Sequence, residues 1–383
     1  MREAELEGIL AGLRRFPDVE APNLFAHDAT DRLLVETAAE HLAPGARLAV
    51  VGDRYGALTL GALAALDVSG VRVAQDLYSG RSALQRNAEA AGLAGRFESV
   101  GPGEGGGLYG ARLFEDASVV LLQLPRSLAE LEEIADAVAR HAPDDAVLLA
   151  GGRVKHMSLG MNSVLERFFE SVQPQLAERK SRVLVARGPK RPAGPPRFPV
   201  LDEVAELGIT VASHGAAFSG GKLDIGTRFL LSFLDRMPDA RHAVDLGCGT
   251  GILAAMYARS HPRARVTATD QSAAAVASST ATAVANGLAG RIAVVHDDAM
   301  SGFGEGSADL ILLNPPFHLG ASVHAGAALK MFEAAARVLA PGGELWTVYN
   351  SHLQYRPALE RLIGATTELG RNPKFTVTRS IKA

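Results

Sequence analysis

The sequence predicts an α/β fold made of two tandem Rossmann-like domains that arose by duplication of one domain. Short matches recur in the same order along the two halves of the chain, and the pentapeptide GLAGR occurs at residues 92–96 and again at residues 287–291. Each half alternates apolar runs with helical patterns, which is typical of a mostly parallel sheet flanked by helices. A segment rich in Pro and Gly separates the halves.

The elements of the two copies follow one order: strand, Gly-rich turn, helix, strand, helix, strand. Each copy then continues with a helix, a short turn and another strand, because an apolar helical period is followed by a compact apolar run. In the first copy we place strands and turns at 50–58, 71–76 and 119–125, a helix at 128–141 and a strand at 146–150. In the second copy we place them at 244–251, 265–270, 292–296 and 310–316, with helices at 252–260, 271–286 and 325–339 and a strand at 344–349.

The segment GPKRPAGPP at residues 188–196 is the richest in Pro and Gly and is the best linker candidate. A chain of 383 residues suits two domains. We therefore expect a first domain over residues 1–195 and a second over residues 196–383.

Composition bounds the class of protein. The chain is 47% apolar and 21% charged, with a net charge of −3, so it lacks the overall basic excess of many nucleic-acid binders. The single cysteine excludes an intrachain disulfide and a cysteine-based zinc cluster, and we expect no metal. The N-terminus lacks a signal-peptide pattern and no apolar run approaches a membrane span, so we expect a cytoplasmic protein without a membrane partner.

One local basic run stands near the junction of the copies and contains no acid. Such a run can track phosphates, or it can be the solvated ends of a buried strand at residues 183–186 followed by a soluble linker. The sequence leaves both interpretations open. The run comprises Arg179, Lys180, Arg182, Arg187, Lys190, Arg191 and Arg197.

The second copy carries a cofactor motif, VDLGCGTG, at residues 244–251, between a predicted strand and a predicted helix. Glycines at such a turn let a ligand approach the backbone and the N–H groups of the helix N-terminus. An acid before the first glycine would repel a pyrophosphate but tolerates the sulfonium and ammonium of S-adenosylmethionine, which favours that cofactor over NAD. The residues expected to bind it are Asp245, Gly247, Cys248, Gly249 and Gly251.

Further cofactor contacts are predicted at the ends of the next two strands. Asp270 ends one strand and Gln271 follows it, and an acid there can accept hydrogen bonds from both ribose hydroxyls. The alternative is that Asp270 caps the following helix, with Ser272 as a competing cap. Asp297 and Asp298 follow the other strand, and one of them, preferentially Asp298, can accept from the adenine amino group unless both are simply solvated.

The turn NPPF at residues 314–317 follows the fourth strand of the second copy. Ligands of open α/β sheets bind at that edge, and the prolines stiffen the turn. The side-chain oxygen of Asn314 and the carbonyl of Pro315 can accept from a planar exocyclic amine, while Phe317 offers a face on which a base can stack. We therefore predict Asn314, Pro315, Pro316 and Phe317 as catalytic residues, with Asn314 also beside the cofactor.

The first copy is chemically different. It has GDRYG at residues 52–56, where Arg54 and Tyr55 obstruct close backbone approach, and QLPR at residues 123–126 in place of NPPF. We expect a degenerate domain that no longer binds cofactor and that holds RNA or stabilises its neighbour.

These motifs resemble those of class I methyltransferases that modify exocyclic amines. The whole chain resembles the bacterial ribosomal RNA guanine-N2 methyltransferases of the small subunit, in which a degenerate methyltransferase-like domain precedes an active one. The resemblance includes Phe218 and LDIGT at residues 223–227, a segment that borders the cofactor in such enzymes and adds Phe218 and Thr227 to the expected cofactor contacts. It also includes PGGEL at 341–345 and NPKF at 372–375, whereas Asp298 departs from the family pattern.

The resemblance implies methylation of a guanine N2 in small-subunit ribosomal RNA, with ribosomal RNA of that subunit as the partner. The target base would have to be flipped out to reach Asn314. The nearest alternative is the same reaction on large-subunit ribosomal RNA. Adenine-N6 methylation and glutamine methylation of a protein also use Asn-Pro-Pro-aromatic turns, and a non-catalytic RNA-binding assembly factor is a different class again.

Overall fold

The computed structural model describes residues 1–102, 108–217, 220–316 and 321–383, with only the backbone at 321–325. Within these ranges the chain divides into two compact units, Met1–Phe198 and Pro199–Ala383. Each unit is described by itself below.

The first unit is built on one seven-stranded sheet with helices on both faces. Its strands are β1 (Ala46–Val51), β2 (Val68–Ala74), β3 (Phe97–Ser99), β4 (Val119–Gln123), β5 (Val147–Arg153), β6 (Phe169–Pro174) and β7 (Ser181–Pro189). Its helices are α1 (Glu3–Gly12), α2 (Ala29–His41), α3 (Ala57–Ala65), α4 (Tyr78–Ala90), α5 (Ala111–Phe114), α6 (Leu128–His141) and α7 (Leu159–Phe168).

The strand order of this sheet is β3-β2-β1-β4-β5-β7-β6. The first five strands are parallel, and β7 pairs antiparallel with both β5 and β6. In β1, Leu48 and Val50 pack in the core under α1 to α4, while Ala49 and Val51 pack in the core under α5 to α7. Burial on both faces explains why this strand reads as a continuous apolar run.

The second unit repeats this architecture after a two-stranded hairpin. Its strands are β8 (Val200–Val204) and β9 (Ile209–Ser213) in the hairpin, then β10 (His242–Leu246), β11 (Arg265–Asp270), β12 (Ile292–His296), β13 (Ala308–Leu313), β14 (Leu339–Asn350), β15 (Thr366–Arg371) and β16 (Phe375–Ile381). Its helices are α8 (Ile225–Leu231), α9 (Ile252–Ser260), α10 (Ala273–Ala285), α11 (Ala321–Val338) and α12 (Arg356–Leu362).

The two sheets have the same strand order, because the second is β12-β11-β10-β13-β14-β16-β15. In each unit the helix after the first central strand begins behind a left-handed glycine, Gly56 with φ 102° and Gly251 with φ 79°. The predicted fold class, α/β with two tandem Rossmann-like domains, is therefore confirmed. The antiparallel strands at the end of each sheet and the hairpin β8–β9 are additions to the predicted pattern.

No helix among the described ranges combines the length and the apolar character that a membrane crossing requires. In the same ranges, no three side chains of His, Cys, Asp or Glu cluster in a way that suits a metal ion.

Candidate active site

The site lies where the strand order of the second sheet reverses. β10 sits between β11 and β13, and all three run parallel, with Leu246 paired to Thr269 on one side and Leu313 on the other. The residues that follow these strands therefore meet at one edge of the sheet, beside the crevice where ligands of open α/β sheets bind. The glycine turn, Asp270 and Asn314 all lie at this edge.

The glycine turn leaves an open ledge at Gly249. This residue has φ 53°, and a side chain added there would meet no atom of the described residues within 4 Å. Its N–H donates to Oδ2 of Asp270 at 3.0 Å, which ties the turn to the end of β11. Gly251 is needed for another reason: an added side chain would lie 3.1 Å from the backbone of Ser279, so its absence lets α9 pack against α10.

Asp245 and Cys248 are both buried beneath this turn. Oδ2 of Asp245 accepts from the backbone N–H of Ala254 at 2.9 Å, whereas Oδ1 has no donor among the residues that the structure describes. Burial raises the pKa of Asp245 to about 7. Burial also raises the pKa of the Cys248 thiol, so Cys248 serves as a small protonated side chain in the turn.

Cofactor affinity should depend on pH through Asp245. A bound cation lowers the pKa of a neighbouring carboxyl group, so binding should release a proton when the pH lies below about 7. We expect affinity for S-adenosylmethionine to rise by up to about tenfold per pH unit from pH ~5.5 and to level off above pH ~7. Calorimetric titration at several pH values measures this dependence.

Asp245→Asn is the matched variant, and its affinity should be lower and nearly independent of pH. A flat profile in the parent protein would show that Asp245 does not face the cofactor's charge. The folding stability of the cofactor-free protein should change with pH in the opposite direction to the affinity. Over this pH range the folded state holds a proton on Asp245 that the unfolded chain releases. The contribution of Asp245 to folding stability is therefore lost as the pH rises from the ordinary value of 3.8 through about 7.

Asp270 is the last residue of β11, and Gln271 follows the strand. Besides the turn, Asp270 reaches the next helix, because its Oδ1 accepts from the N–H of Ser272 at 2.9 Å. Ser272 itself caps α10 through Ala275. Asp270 thus bonds both the glycine turn, at Gly249, and the backbone at Ser272 before α10. The side chain of Gln271 is exposed. Their binding of ribose stays a prediction.

Asp297 and Asp298 have different surroundings. Asp297 is buried and closes a local turn, accepting from the N–H groups of Ser301 at 3.0 Å and Gly302 at 2.9 Å. Asp298 pairs instead with the ammonium of Lys330 on α11, a partner that the sequence did not indicate. The adenine contact predicted for this pair remains a prediction. Asp297 already accepts hydrogen bonds within its own turn, whereas the carboxylate of Asp298 pairs with Lys330 outside that turn.

Asn314 has a fixed side chain. Its Nδ2 donates to Oδ2 of Asp224 at 3.0 Å and to Oγ1 of Thr227 at 2.9 Å. Its Oδ1 is buried and, within the described part of the chain, accepts from no donor. The structure therefore brings Thr227, predicted as a cofactor contact, to the predicted catalytic asparagine.

The rest of the predicted turn is only partly described. Pro315 is buried and Pro316 is exposed. Phe317, predicted as the stacking residue, and Phe218, predicted beside the cofactor, lie outside the described residues.

Asp224 is a site residue to which the sequence analysis gave no role. It caps α8, where Oδ2 accepts from the N–H groups of Gly226 at 2.8 Å and Thr227 at 3.1 Å. An Asp directly before a helical segment is a recognisable N-cap. That pattern predicts the cap but not its contact with a turn 90 residues away.

In the first unit, side chains of that unit occupy the corresponding place, where the turn after β1 leads into α3. Asp53 is fully buried and accepts from the N–H groups of Gly56, Leu58 and Thr59 at the start of α3, at 3.0, 3.3 and 2.8 Å. Tyr55 is buried and donates to Asp18. The N–H groups that a phosphate or carboxylate would meet at a helix N-terminus are therefore already occupied.

The basic run between residues 179 and 197 makes contacts inside the first unit. Three of its arginines pair with acids, Lys190 donates to a backbone carbonyl, Arg187 meets the imidazole of His41, and its strand portion is β7. These contacts agree with the interpretation of the run as the charged border of a buried strand, and its binding of phosphates stays a prediction. The contacts are Arg179 with Glu36, Arg187 with His41, Lys190 with the carbonyl of Glu166, Arg191 with Asp144, and Arg197 with Glu132.

Two family models match the chain. The RLMG N-terminal domain matches residues 1–190, and the methyltransferase small domain matches residues 208–379. The chain is 36% identical over 387 residues to the "Ribosomal RNA large subunit methyltransferase G" of Streptomyces coelicolor, with 97% of both chains covered. It is 35% identical to the protein of the same name from Pseudomonas paraeruginosa, again with 97% of both chains covered.

One solved structure is similar over nearly the whole chain. It is a "T. Thermophilus 16S rRNA N2 G1207 methyltransferase (RsmC) in complex with AdoMet and Guanosine". The TM-score is 0.73 at 23% identity, covering 95% of this chain and 97% of that one. At this identity the likeness shows the two-domain fold.

The fold and the site define a class I methyltransferase that uses S-adenosylmethionine, as the glycine turn predicted. Within this class, the chain belongs to the family of the ribosomal RNA large subunit methyltransferase G.

The prediction of small-subunit ribosomal RNA as the substrate is wrong. Relatives at 33–36% identity over nearly the full chain are named for the large subunit. The motifs behind the prediction lie in the glycine turn and in the turn at Asn314, and they were interpreted as binding a cofactor and an amine. They carry no information about which ribosomal RNA surrounds the amine, and the small-subunit enzyme from T. thermophilus has the same fold.

Proposed function

We propose that this chain transfers a methyl group from S-adenosylmethionine to the exocyclic N2 of a guanine in large-subunit ribosomal RNA. The family names the large subunit, and the described site supports an exocyclic amine as the acceptor. The T. thermophilus protein of the same fold was solved with guanosine, which agrees with the choice of base.

The observation that carries the proposal is the buried Oδ1 of Asn314. A buried acceptor without a donor is unfavourable by about 1–3 kcal/mol, so a ligand that supplies an N–H is favoured there. An exocyclic amine supplies such an N–H, and its planar nitrogen is a poor nucleophile because its lone pair is delocalised into the ring. Accepting from the amine at Asn314 and at the Pro315 carbonyl aligns it and favours pyramidalisation.

The glycine edge fits the cofactor. The open backbone at Gly249 leaves room for a ligand, Asp270 offers carboxylate oxygens for ribose hydroxyls, and Asp245 offers a buried acid to a positive charge. When bound, S-adenosylmethionine supplies an electrophilic methyl group. The task of the residues at Asn314 is then to hold the acceptor nitrogen in line, which is largely a matter of orientation.

The first unit is proposed to bind no cofactor. Its helix N-terminus is capped by Asp53, and Arg54 and Gln75 stand where the second unit has Gly249 and Asp270. The unit would then hold RNA around the flipped base or stabilise the catalytic unit.

The test is methylation of purified large and small ribosomal subunits, and of their protein-free RNAs, from cells that lack this protein. Nucleosides are then separated and identified by mass. We expect N2-methylguanosine in large-subunit RNA and none in small-subunit RNA. Label in N6-methyladenosine or in a protein glutamine would replace the proposal with one of the other exocyclic-amine reactions. Cofactor binding without transfer to any of the substrates would favour an assembly factor.

A further inference from the structure

The first turn of α8 reaches across to the catalytic turn and holds the amide of Asn314. Asn314 Nδ2 lies 3.0 Å from Asp224 Oδ2 and 2.9 Å from Thr227 Oγ1. The side-chain amide of asparagine carries two N–H donors. Both acceptors therefore match the two hydrogens of Nδ2, and the amide nitrogen is fully engaged.

The two contacts determine which way the amide points. A carboxylate only accepts hydrogen bonds, so a flipped amide would place Oδ1 against Asp224 Oδ2 with no hydrogen between them. That arrangement brings two electron-rich oxygens together and also strands Nδ2. The orientation with Oδ1 left for a ligand is thus imposed by Asp224.

Gly226 leaves the space that this arrangement needs. A Cβ at residue 226 would lie 3.3 Å from Oδ1 and 3.4 Å from Nδ2 of Asn314, and 3.0 Å from Asp224 Oδ2. Contacts this close would require Asn314 or Asp224 to move by a few tenths of an ångström. In the segment Asp224-Ile225-Gly226-Thr227, the aspartate and the threonine each accept a hydrogen bond from Asn314, and the glycine between them leaves room for its side chain.

We infer that Asp224 and Thr227 are positioning residues for methyl transfer, which lock the Asn314 amide with its oxygen toward the target amine. This inference rests on the proposed function, since it explains how the acceptor atom is oriented. An asparagine free to rotate would present its NH2 group part of the time, and that group repels the N–H of an amine. Locking the amide beforehand spares that reorganisation at the moment of reaction.

The experiment is single-turnover methylation of large-subunit RNA, with affinities for S-adenosylmethionine and RNA measured in parallel. Thr227→Val removes one acceptor at nearly constant shape, and we expect the rate to fall about three- to tenfold. Thr227→Ser keeps the hydroxyl and should recover most of that loss. Asp224→Asn keeps a good helix cap but allows the amide to flip, and we expect a loss of about tenfold or more.

Two further variants separate positioning from folding. Asp28→Asn makes the same change in a capping aspartate of the first unit, whose side chain accepts from Thr30, and should leave the rate unchanged. Gly226→Ala favours the helix but crowds Asn314, so it should slow methylation without lowering the melting temperature. If Asp224→Asn does not fold, Thr227→Val and Gly226→Ala still decide the question.

A double-mutant cycle supplies the decisive comparison. In the Asn314→Ala background, Thr227→Val should cause no further loss, because the group that it positions is gone. An equal loss in both backgrounds, an unchanged rate in Thr227→Val, or a loss confined to cofactor affinity would overturn the inference. Failure of the proposed function has a different signature, since the parent protein would then form no N2-methylguanosine.

Discussion

Replacing Asn314 with alanine should leave the affinity for S-adenosylmethionine nearly unchanged and lower the rate of methylation by about 100-fold or more. The side chain follows β13, and its Oδ1 is buried at the site without a donor among the residues that the structure describes. Removing it deletes the acceptor that is proposed to align the amine as the methyl group approaches. The measurement is single-turnover methylation on saturating RNA, with cofactor binding followed by calorimetry.

The control for this variant is Asn286→Ala. Asn286 is an asparagine of the same unit with a structural task, because it bonds both backbone groups of Thr210. Its loss should lower the free energy of unfolding by about 1–3 kcal/mol without slowing the folded enzyme. If Asn314→Ala instead methylates at the parental rate, the turn at residues 314–316 is structural and the mechanism is wrong.

Asp270→Ala should weaken S-adenosylmethionine by about 1.5–3 kcal/mol, which corresponds to about 10- to 150-fold in the dissociation constant. The carboxylate is proposed to accept from ribose hydroxyls, and it also holds the N–H of Gly249 in the turn. Both effects act on cofactor binding, so RNA affinity should change little. Calorimetric titration of the cofactor, beside RNA binding without cofactor, makes the measurement.

Asp309→Ala is a suitable comparison for Asp270→Ala. Asp309 lies near the start of β13, at the opposite end of this strand from Asn314. It accepts there from the N–H groups of Arg241 and His242. Its removal should affect stability and leave cofactor affinity intact. If the Asp270 variant and the parent protein bind S-adenosylmethionine equally well, Asp270 has only the structural role of bonding the backbone around it.

The sequence specified most of the central fold because the relevant signals are local. The helix at Ile252–Ser260 and the strand at Ile292–His296 have the predicted bounds, since periodicity and the flanking glycines mark them within a few residues. The repeat GLAGR then showed that one pattern applied twice. The antiparallel strand β16 was not predicted, because its position depends on pairing with β14 rather than on its own pattern.

Predicting which side chains contact one another in the site was harder than predicting which residues belong to it. Asn314 was singled out from its turn, but its partner Asp224 precedes it by 90 residues and packs there only in the folded chain. The subunit preference was wrong for a related reason. The turns behind that prediction are local, whereas recognition of a particular ribosomal RNA depends on surfaces that no short motif describes.

Asp53 has a further consequence for how the two units respond to cofactor supply. A ligand stabilises only the unit that binds it, by about 2.7 kcal/mol at a hundredfold excess over its dissociation constant. The carboxyl group of Asp53 already occupies the start of α3, and if the first unit binds no cofactor, as proposed, its resistance to unfolding would not vary with the methyl donor. The second unit would gain and lose part of its resistance as the donor is made and consumed. During methionine starvation, the second unit would therefore lose the part of its stability that the donor supplies.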